Sequence, residues 1–431
     1  MGASVKIKLP YSREGMTLHL DASLDYEILE SAIQSMPKSE KSEDEIVLDA
    51  MAQPVGSKRL SELSVGKQKV VLICSDHTRP VPSRHIVPFM LREIREGNPQ
   101  AEITLLIATG FHRATTREEL VQKFGEEIVD REKIVIHDSR AMDDMVNLGT
   151  LPSGAPLLIN RIAAQADLLV SEGFIETHFF AGFSGGRKSV LPGISSKVTV
   201  LGNHCSAFID SPYSRTGILE HNPIHKDMIA ASKMANLAYI VNVVIDSDKK
   251  VVHAVAGDAD LAHAAGCRFL QQYCQVTPKK QADIAISTNG GYPLDQNMYQ
   301  SVKGMTAAEA ASKEDGILIM VSNCGDGHGG EGFYRALKEC ESPKALMEEI
   351  LKVPQDETKP DQWEYQIQSR ILIHHRVIYV MCEKYRRMAQ EMGFETASDV
   401  DEALATALRE KGKKAHIAII PDGVSVMVKK P

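Results

Sequence analysis

Short, near-continuous apolar runs recur along the chain at Val70–Cys74, Ile103–Ala108, Ile134–His137, Leu168–Ser171, Ile284–Ser287, Ile317–Val321, Val377–Met381 and Ile417–Ile420. They are rich in β-branched residues and alternate with segments of helical periodicity. That is the pattern of parallel strands covered on both faces by helices. Val5–Leu20 alternates apolar with polar residues instead, and so do Tyr239–Ile245 and Val251–Val255 around Asp246-Ser247-Asp248, which predicts two hairpins. Thr116 with Glu119 three residues later spells a capping box, so a helix opens there. Asn222-Pro223 opens another, running to about Met234, and a helix after Asp258 ends near Cys274. The expected fold is α/β, with two domains built on doubly wound, mostly parallel sheets. The segment VTPKKQAD reads as a connector, dividing 1–275 from 276–414. The terminal strand Ala415–Ile420 and the tail to 431 can return to either domain, completing the first if they cross back.

Composition narrows the class. With 431 residues and 43% hydrophobic content, each domain has material for a core. A net charge of -8 argues against a nucleic-acid surface. The seven cysteines are scattered without a C-x-x-C pair, which reads as reduced intracellular thiols. The N-terminus lacks an apolar signal core, and no apolar run reaches about 18 residues. The expectation is a cytoplasmic protein with no membrane and no nucleic-acid partner. Lys38–Glu45 reads as a charged surface run.

Candidate chemistry follows the strands. Cys74 leads into SDHTRP, Ala108 into TGFHRATT, Ser171 into EGFIETH and Thr288 into NGGYPLDQN. Doubly wound sheets bind ligands beyond these carboxyl ends, so a site in the interdomain cleft is expected. His112, His178 and His204 sit beside glycines, apolar residues or strand ends, at spacings that match no zinc signature. Asp76, His77, Thr78 and Arg79 offer groups suited to ribose hydroxyls, phosphate or carboxylate. GFSGGRKS (182–189) nearly spells a phosphate loop, but Arg187 replaces its second glycine, which disfavours a nucleoside triphosphatase. A cofactor loop with Lys188 as a positioned amine is the better reading. GDGHGG (325–330) fits a dinucleotide fingerprint, yet it starts four residues past its strand and carries Asp326. A turn lining the cleft suits it better, with an NAD-dependent 2-hydroxy acid dehydrogenase as the alternative. Tyr299, Gln300 and Lys303 share a helix face, where Lys303 can receive a carboxylate. Trp363, the only tryptophan, is a packing anchor or a lid.

These segments together resemble the nickel-pincer lactate racemase family. The resemblance rests on SDHTRPVPSRHIVP, TGFHRATT, EGFIETHFFAGFSGGRKSVLPGI, GNHC, GGYPLDQNMYQSVKGM and CGDGHGGEGF, spanning residues 75 to 333. It implies an isomerase that carries a nickel-pincer nucleotide, Ni(II)-pyridinium-3,5-bisthiocarboxylic acid mononucleotide, attached covalently to Lys188. It implies His204 as the nickel ligand and His112 and His178 as the catalytic pair. The run Asp76, His77, Thr78 and Arg79 would contact the cofactor. Arg79, Tyr299, Gln300, Lys303 and Trp363 would bind substrate. Residues 1–275 would then be the cofactor-binding and catalytic domain and 276–414 the substrate-binding one. Cofactor-maturation enzymes are implied as partners.

The implied chemistry suits these residue types. The C2 hydrogen of a 2-hydroxy acid leaves as hydride more readily than as proton, because the neighbouring carboxylate already bears charge. A base must take the hydroxyl proton, and two mirror-image substrates need two bases. Lactate is the first-guess substrate; malate, a longer aliphatic acid or a sugar acid are the alternatives.

Overall fold

The computed structural model describes residues 4–36 and 39–431; Lys38 of the expected charged run lies outside them. Two six-stranded sheets organise the chain. In the first, the spatial order is Val251–Gly257, Leu237–Ile245, Leu168–Phe174, Lys69–Ser75, Glu102–Ala108, Lys133–Ile136. All neighbours are parallel except the hairpin formed by the first two. In sequence order this is a doubly wound sheet whose direction of winding reverses between Lys69–Ser75 and Leu168–Phe174. Such a switch point opens a crevice, because the loops leaving the two strands diverge to opposite faces.

The second sheet runs Glu395–Ala397, Arg376–Val380, Ser312–Val321, Ala282–Thr288, His416–Ile420, Asp25–Ile28, parallel throughout. Its switch point lies between Ala282–Thr288 and His416–Ile420. Both sheets are buried on both faces, as their near-continuous apolar strands require.

The N-terminal segment sits with the second half, outside the expected partition, and the C-terminal strand takes one of the two places open to it. Strand His416–Ile420 pairs with Ala282–Thr288 and does not complete the first sheet. Asp25–Ile28 then pairs with His416–Ile420. The N-terminal hairpin Ser4–Leu9/Met16–Asp21 has one apolar face and no core of its own. It buries Ile7, Leu9, Leu18 and Leu20 against Ile284, Ile286 and Val400 of the second sheet's layer. A two-stranded ribbon is stable only when such a face is covered.

The expected helices form at their signals. Thr116 and Glu119 make the reciprocal cap of Arg117–Phe124, and Asn222 caps Pro223–Met234. One apolar cluster runs through both sheets' layers, from Ile73 and Ile175 by way of Phe180 and Ile209 to Met305 and Ile367. The two halves therefore share a core beneath the cleft. Among the described residues, no helix is long and apolar enough to cross a membrane.

Candidate active site

The switch point of the first sheet positions the histidine-bearing loops. Strand Lys69–Ser75 leads to Asp76, and its neighbours Glu102–Ala108 and Leu168–Phe174 lead to His112 and His178 on either side. Buried Glu172 ties the central loop down. Its carboxylate accepts hydrogen bonds from Ser75 N and Oγ at 2.7 and 2.6 Å and from Ser83 Oγ at 3.2 Å. Asp76, 1% exposed, accepts from His112 Nδ1 at 2.6 Å and from Thr78 Oγ1 at 2.7 Å. Burial alone would raise its pKa. The hydrogen bonds from His112 and Thr78 and the charge of Arg79 outweigh that and hold it below the ordinary value. With Nδ1–H of His112 committed to Asp76, the ring's lone pair lies on Nε2, the arrangement of a general base.

His178 has the complementary assignment. It pairs with Gly182 across a two-residue ribbon, and its Nδ1 accepts the Ala181 N–H at 3.3 Å, which leaves the hydrogen on Nε2. Its low-polarity surroundings, together with the charges of Lys188, Lys303 and Arg79, push its pKa well down, so the ring is neutral. An unbroken series of ring contacts starts here. His178 meets Phe180 at 4.5 Å, Phe180 meets His204 at 5.1 Å, His204 meets Trp363 at 5.1 Å and Trp363 stacks on Phe111 at 6.3 Å. Loops of the first sheet are thereby joined to the helix that carries Trp363. His204 follows helix Lys197–Asn203 and is buried, with its pKa pushed down to about 3 by burial and by Lys188. Its Nδ1 has no hydrogen-bond partner. A neutral imidazole with an unpartnered nitrogen is a ready metal ligand.

Lys188 lies in a single 3-10 turn, Gly186–Ser189, with Nζ 5.9 Å from the centre of the Phe180 ring. The low-polarity surroundings, Arg187 and Arg79 hold its ammonium pKa well below the usual value, so a neutral amine is accessible. The turn requires glycine before it. Gly185 has φ +77, and a Cβ there would lie 2.7 Å from Asn242 Oδ1 and 2.8 Å from Phe174 O. Gly186 N instead donates to Asn242 Oδ1 at 2.7 Å.

Arg187, which the sequence marks as a departure from a phosphate loop, is wholly buried and holds the loop together. It donates to His225 Nδ1, His263 Nε2 and the carbonyls of Ser184, Gly185 and Ala181 at 2.8 to 3.3 Å. Burial lowers its pKa to about 10.

The second half supplies the facing wall. Helix α1 (Met298–Ala311) carries Tyr299, Gln300 and Lys303, and Lys303 Nζ donates to Gln300 Oε1 at 2.7 Å. Helix α2 (Gln362–His374) carries Trp363. Burial and Arg79 pull the Lys303 pKa down, while Glu364 and Glu176 oppose that. Lys188, Lys303, Arg79, His178 and Glu176 thus form one electrostatic cluster across the cleft. GDGHGG packs against the start of α1, its carbonyls at Gly327 and His328 accepting from Met298 N and Tyr299 N at 3.0 Å. It forms the expected turn and shapes the helix that bears Lys303. His77 stands apart. Its Nδ1 lies 3.0 Å from Thr115 Oγ1 and 3.8 Å from Glu119, beside helix Arg117–Phe124.

Two acidic residues join this cluster without a local motif to mark them. Glu176 sits inside the EGFIETH segment, two residues before His178. Glu364 follows Trp363 in QWEYQIQSRILIH, where Gln362, Glu364, Gln366 and Gln368 are all buried. Polar residues at every second position (Gln362, Glu364, Gln366, Gln368) between Trp363, Tyr365 and Ile367 put polar groups on the buried side of the helix whichever side that is.

Fold and site together define a two-sheet α/β protein whose histidines and lysines gather where its two halves meet. Residues 11–217 match the lactate racemase N-terminal domain and residues 277–428 the lactate racemase C-terminal domain. Lactate racemase of Thermoanaerobacterium thermosaccharolyticum is 54% identical over 98% of this chain and 99% of its own. That of Lactiplantibacillus plantarum is 51% identical over 99% and 100%. The lactate racemase apoprotein structure from T. thermosaccharolyticum superposes with a TM-score of 0.95 at 53% identity, covering 99% of this chain and 100% of that one. A Thermotoga maritima protein at 18% identity and TM-score 0.65 shares the fold alone. The chain belongs to the lactate racemase family.

Proposed function

We propose that this protein interconverts the enantiomers of a 2-hydroxy acid, lactate first, with a nickel-pincer nucleotide held at Lys188 and His204. The residues present fit that group. The buried Nδ1 of His204 lacks a partner, and Lys188 has access to its neutral, nucleophilic amine beside a glycine cradle. Among the described residues, no three His, Cys, Asp or Glu side chains gather to hold a metal by themselves. A nickel ion at His204 would therefore take its other donors from the nucleotide. When bound, the pyridinium of that nucleotide supplies a hydride acceptor for the C2 hydrogen.

The chain's own residues do the rest. Arg79 and Lys303 hold the carboxylate, and Gln300 fixes the Lys303 ammonium. Thr78 and Asp76 orient His112, whose Nε2 takes the hydroxyl proton. His178, with its hydrogen on Nε2, first hydrogen-bonds the same oxygen. To act as base for the mirror-image substrate it must be in the other tautomer, reached by losing the Nε2 proton to solvent and taking one from solvent at Nδ1 before substrate is enclosed, which gives up the 3.3 Å contact with Ala181. Trp363, between His204 and Phe111, helps to exclude water. The observation that carries the reading is this pair of imidazoles on either side of the Asp76 loop, Nδ1 of His112 against the Asp76 carboxylate and Nδ1 of His178 against the Ala181 N–H.

The test is intact-mass spectrometry with nickel analysis on protein co-produced with cofactor-maturation enzymes, followed by a chiral assay of L- and D-lactate. Wild type gains the mass of a nucleotide with nickel and racemises lactate, and Lys188→Ala gains neither. Unmodified wild type with competent maturation enzymes overturns the covalent cofactor. A loaded enzyme inert on lactate moves the substrate to malate, a longer aliphatic acid or a sugar acid.

A further inference from the structure

Helices α1 and α2 lie side by side, joined by polar pairs in a steady parallel register. Tyr299 is hydrogen-bonded to Asp361, Gln368 Nε2 donates to Met305 Sδ at 3.4 Å, and Arg370 grips Glu309 twice at 2.8 Å. The last two pairs are 63 and 61 residues apart in the chain. The same register sets Glu364 opposite Lys303. Every other pair in the series is closed, but this one is open. Lys303 turns to Gln300, and Glu364 Oε2, in a residue 2% exposed, has no hydrogen-bond partner. The buried hydroxyl of Tyr379, within electrostatic reach of Glu364, also lacks one.

An ionised carboxylate left dry and unbonded costs several kcal/mol, so such a group is either neutral or awaiting a ligand. A neutral acid is a hydrogen-bond donor, and next to a lysine ammonium the group it best serves is a second carboxylate.

Resting on the assignment of Lys303 to the substrate carboxylate, we propose that Glu364 is a third carboxylate-binding group. It acts as a neutral acid, donating its O–H to the bound 2-hydroxy acid, so that at pH values where the free Glu364 is ionised substrate binding takes up one proton there. The anion and an ionised Glu364 would repel one another across the same ammonium, which couples the two events.

The surroundings agree. Burial and the charge of Asp361, just before its helix, push Glu364 up to about 8, and Lys303 on α1 opposes them. Tyr299 on α1 and Tyr379 on strand Arg376–Val380 also face it. Arg79 and Glu176 lie beyond Lys303.

The test compares holoenzymes of equal nickel content, wild type against Glu364→Gln and Glu364→Leu, by lactate KM across the alkaline range. In wild type, KM rises as Glu364 ionises, towards about tenfold per pH unit, while kcat changes little. Glu364→Gln keeps a donor and cannot ionise. Its KM matches wild type near neutrality and falls roughly threefold or more below it one pH unit above the wild-type midpoint. Glu364→Leu raises KM at every pH. A Glu364→Gln curve that tracks wild type throughout overturns the proposal, because the limb then belongs to Lys303. A uniform rise in the KM of Glu364→Gln also overturns it, because the role is then structural. Should both variants fail to fold, lactate titrations of wild-type holoenzyme by calorimetry in two buffers of different ionisation enthalpy count the protons directly. Uptake approaching one per lactate above the midpoint supports the proposal, and no uptake defeats it. A wild-type holoenzyme that neither binds nor racemises any 2-hydroxy acid defeats the underlying reading instead.

Discussion

Nδ1 of His112 donates to Oδ2 of Asp76 at 2.6 Å, and Asp76 is itself gripped by Thr78. The carboxylate fixes which ring nitrogen carries the hydrogen and stabilises the imidazolium that forms when Nε2 accepts a proton. Asp76→Asn presents an amide hydrogen to Nδ1, drives the ring hydrogen to Nε2 and removes the base. We expect kcat for lactate to fall about 10²- to 10⁴-fold, with KM within a few fold of wild type. Initial rates from each enantiomer measure this, and an unchanged kcat removes Asp76 from the proton-transfer machinery.

His178 offers a direct spectroscopic check. Its Nδ1 accepts a backbone N–H from Ala181, so the resting ring is neutral with hydrogen on Nε2. Shifting that hydrogen forfeits a long neutral hydrogen bond worth about 1 kcal/mol, a small barrier beside the chemical step. Ring 15N chemical shifts of selectively labelled protein should report the Nε2–H tautomer near neutral pH. A resting ring with hydrogen on Nδ1 makes the two histidines equivalent and removes the shift from the catalytic cycle.

Arg187 is held by five acceptors in a wholly buried position, with no carboxylate among them. Replacing it by methionine removes the charge but strands carbonyls and imidazole nitrogens that have no water to turn to. We expect a loss of roughly 3 kcal/mol and a Lys188 turn that no longer holds its geometry. Chemical denaturation of the apoprotein gives the first quantity, and the fraction carrying cofactor mass gives the second. A stability change under about 0.5 kcal/mol makes Arg187 dispensable to the loop.

Much of this architecture is legible in the chain, because parallel strands buried on both faces leave uninterrupted apolar runs. The runs at Val70, Ile103, Ile284 and Ile317 all become central strands. Capping chemistry is equally local, so the helix starts at Thr116 and Asn222 are read directly. What escapes is non-local. Nothing near His416–Ile420 specifies which sheet it joins, because its pairing with Ala282–Thr288 closes over more than 120 residues. Arg187 looks like a flaw in a phosphate loop until His225 and His263 arrive from distant helices. Glu364 looks like one more surface charge until α1 brings Lys303 opposite it.

Acid sensitivity follows from the buried histidines. Burial pushes His178, His204 and His263 down, with the positive charges of Lys188 or Arg187 adding to it. Each stays neutral in the folded protein and becomes protonated in the unfolded chain once pH drops below about 6.5. The unfolded state then binds more protons, so stability rises with pH in this window and is lost as pH falls. At full effect each ring contributes about 1.4 kcal/mol per pH unit. Together with His225, likewise pushed down, to about 3, by burial and Arg187, these rings contribute up to roughly 5 kcal/mol between pH 6 and pH 5. Glu364, neutral in the fold but ionised in the unfolded chain there, offsets about 1.4 kcal/mol of it, leaving a net loss of roughly 4 kcal/mol. Urea denaturation of the apoprotein across that interval measures the slope. His263→Gln, which removes one ring from the set while retaining a hydrogen-bonding side chain, should reduce the slope by about one third. A flat profile between pH 6 and pH 5 would show that these rings accept protons within the folded state, against their enclosure by Phe180, Trp363 and Arg187.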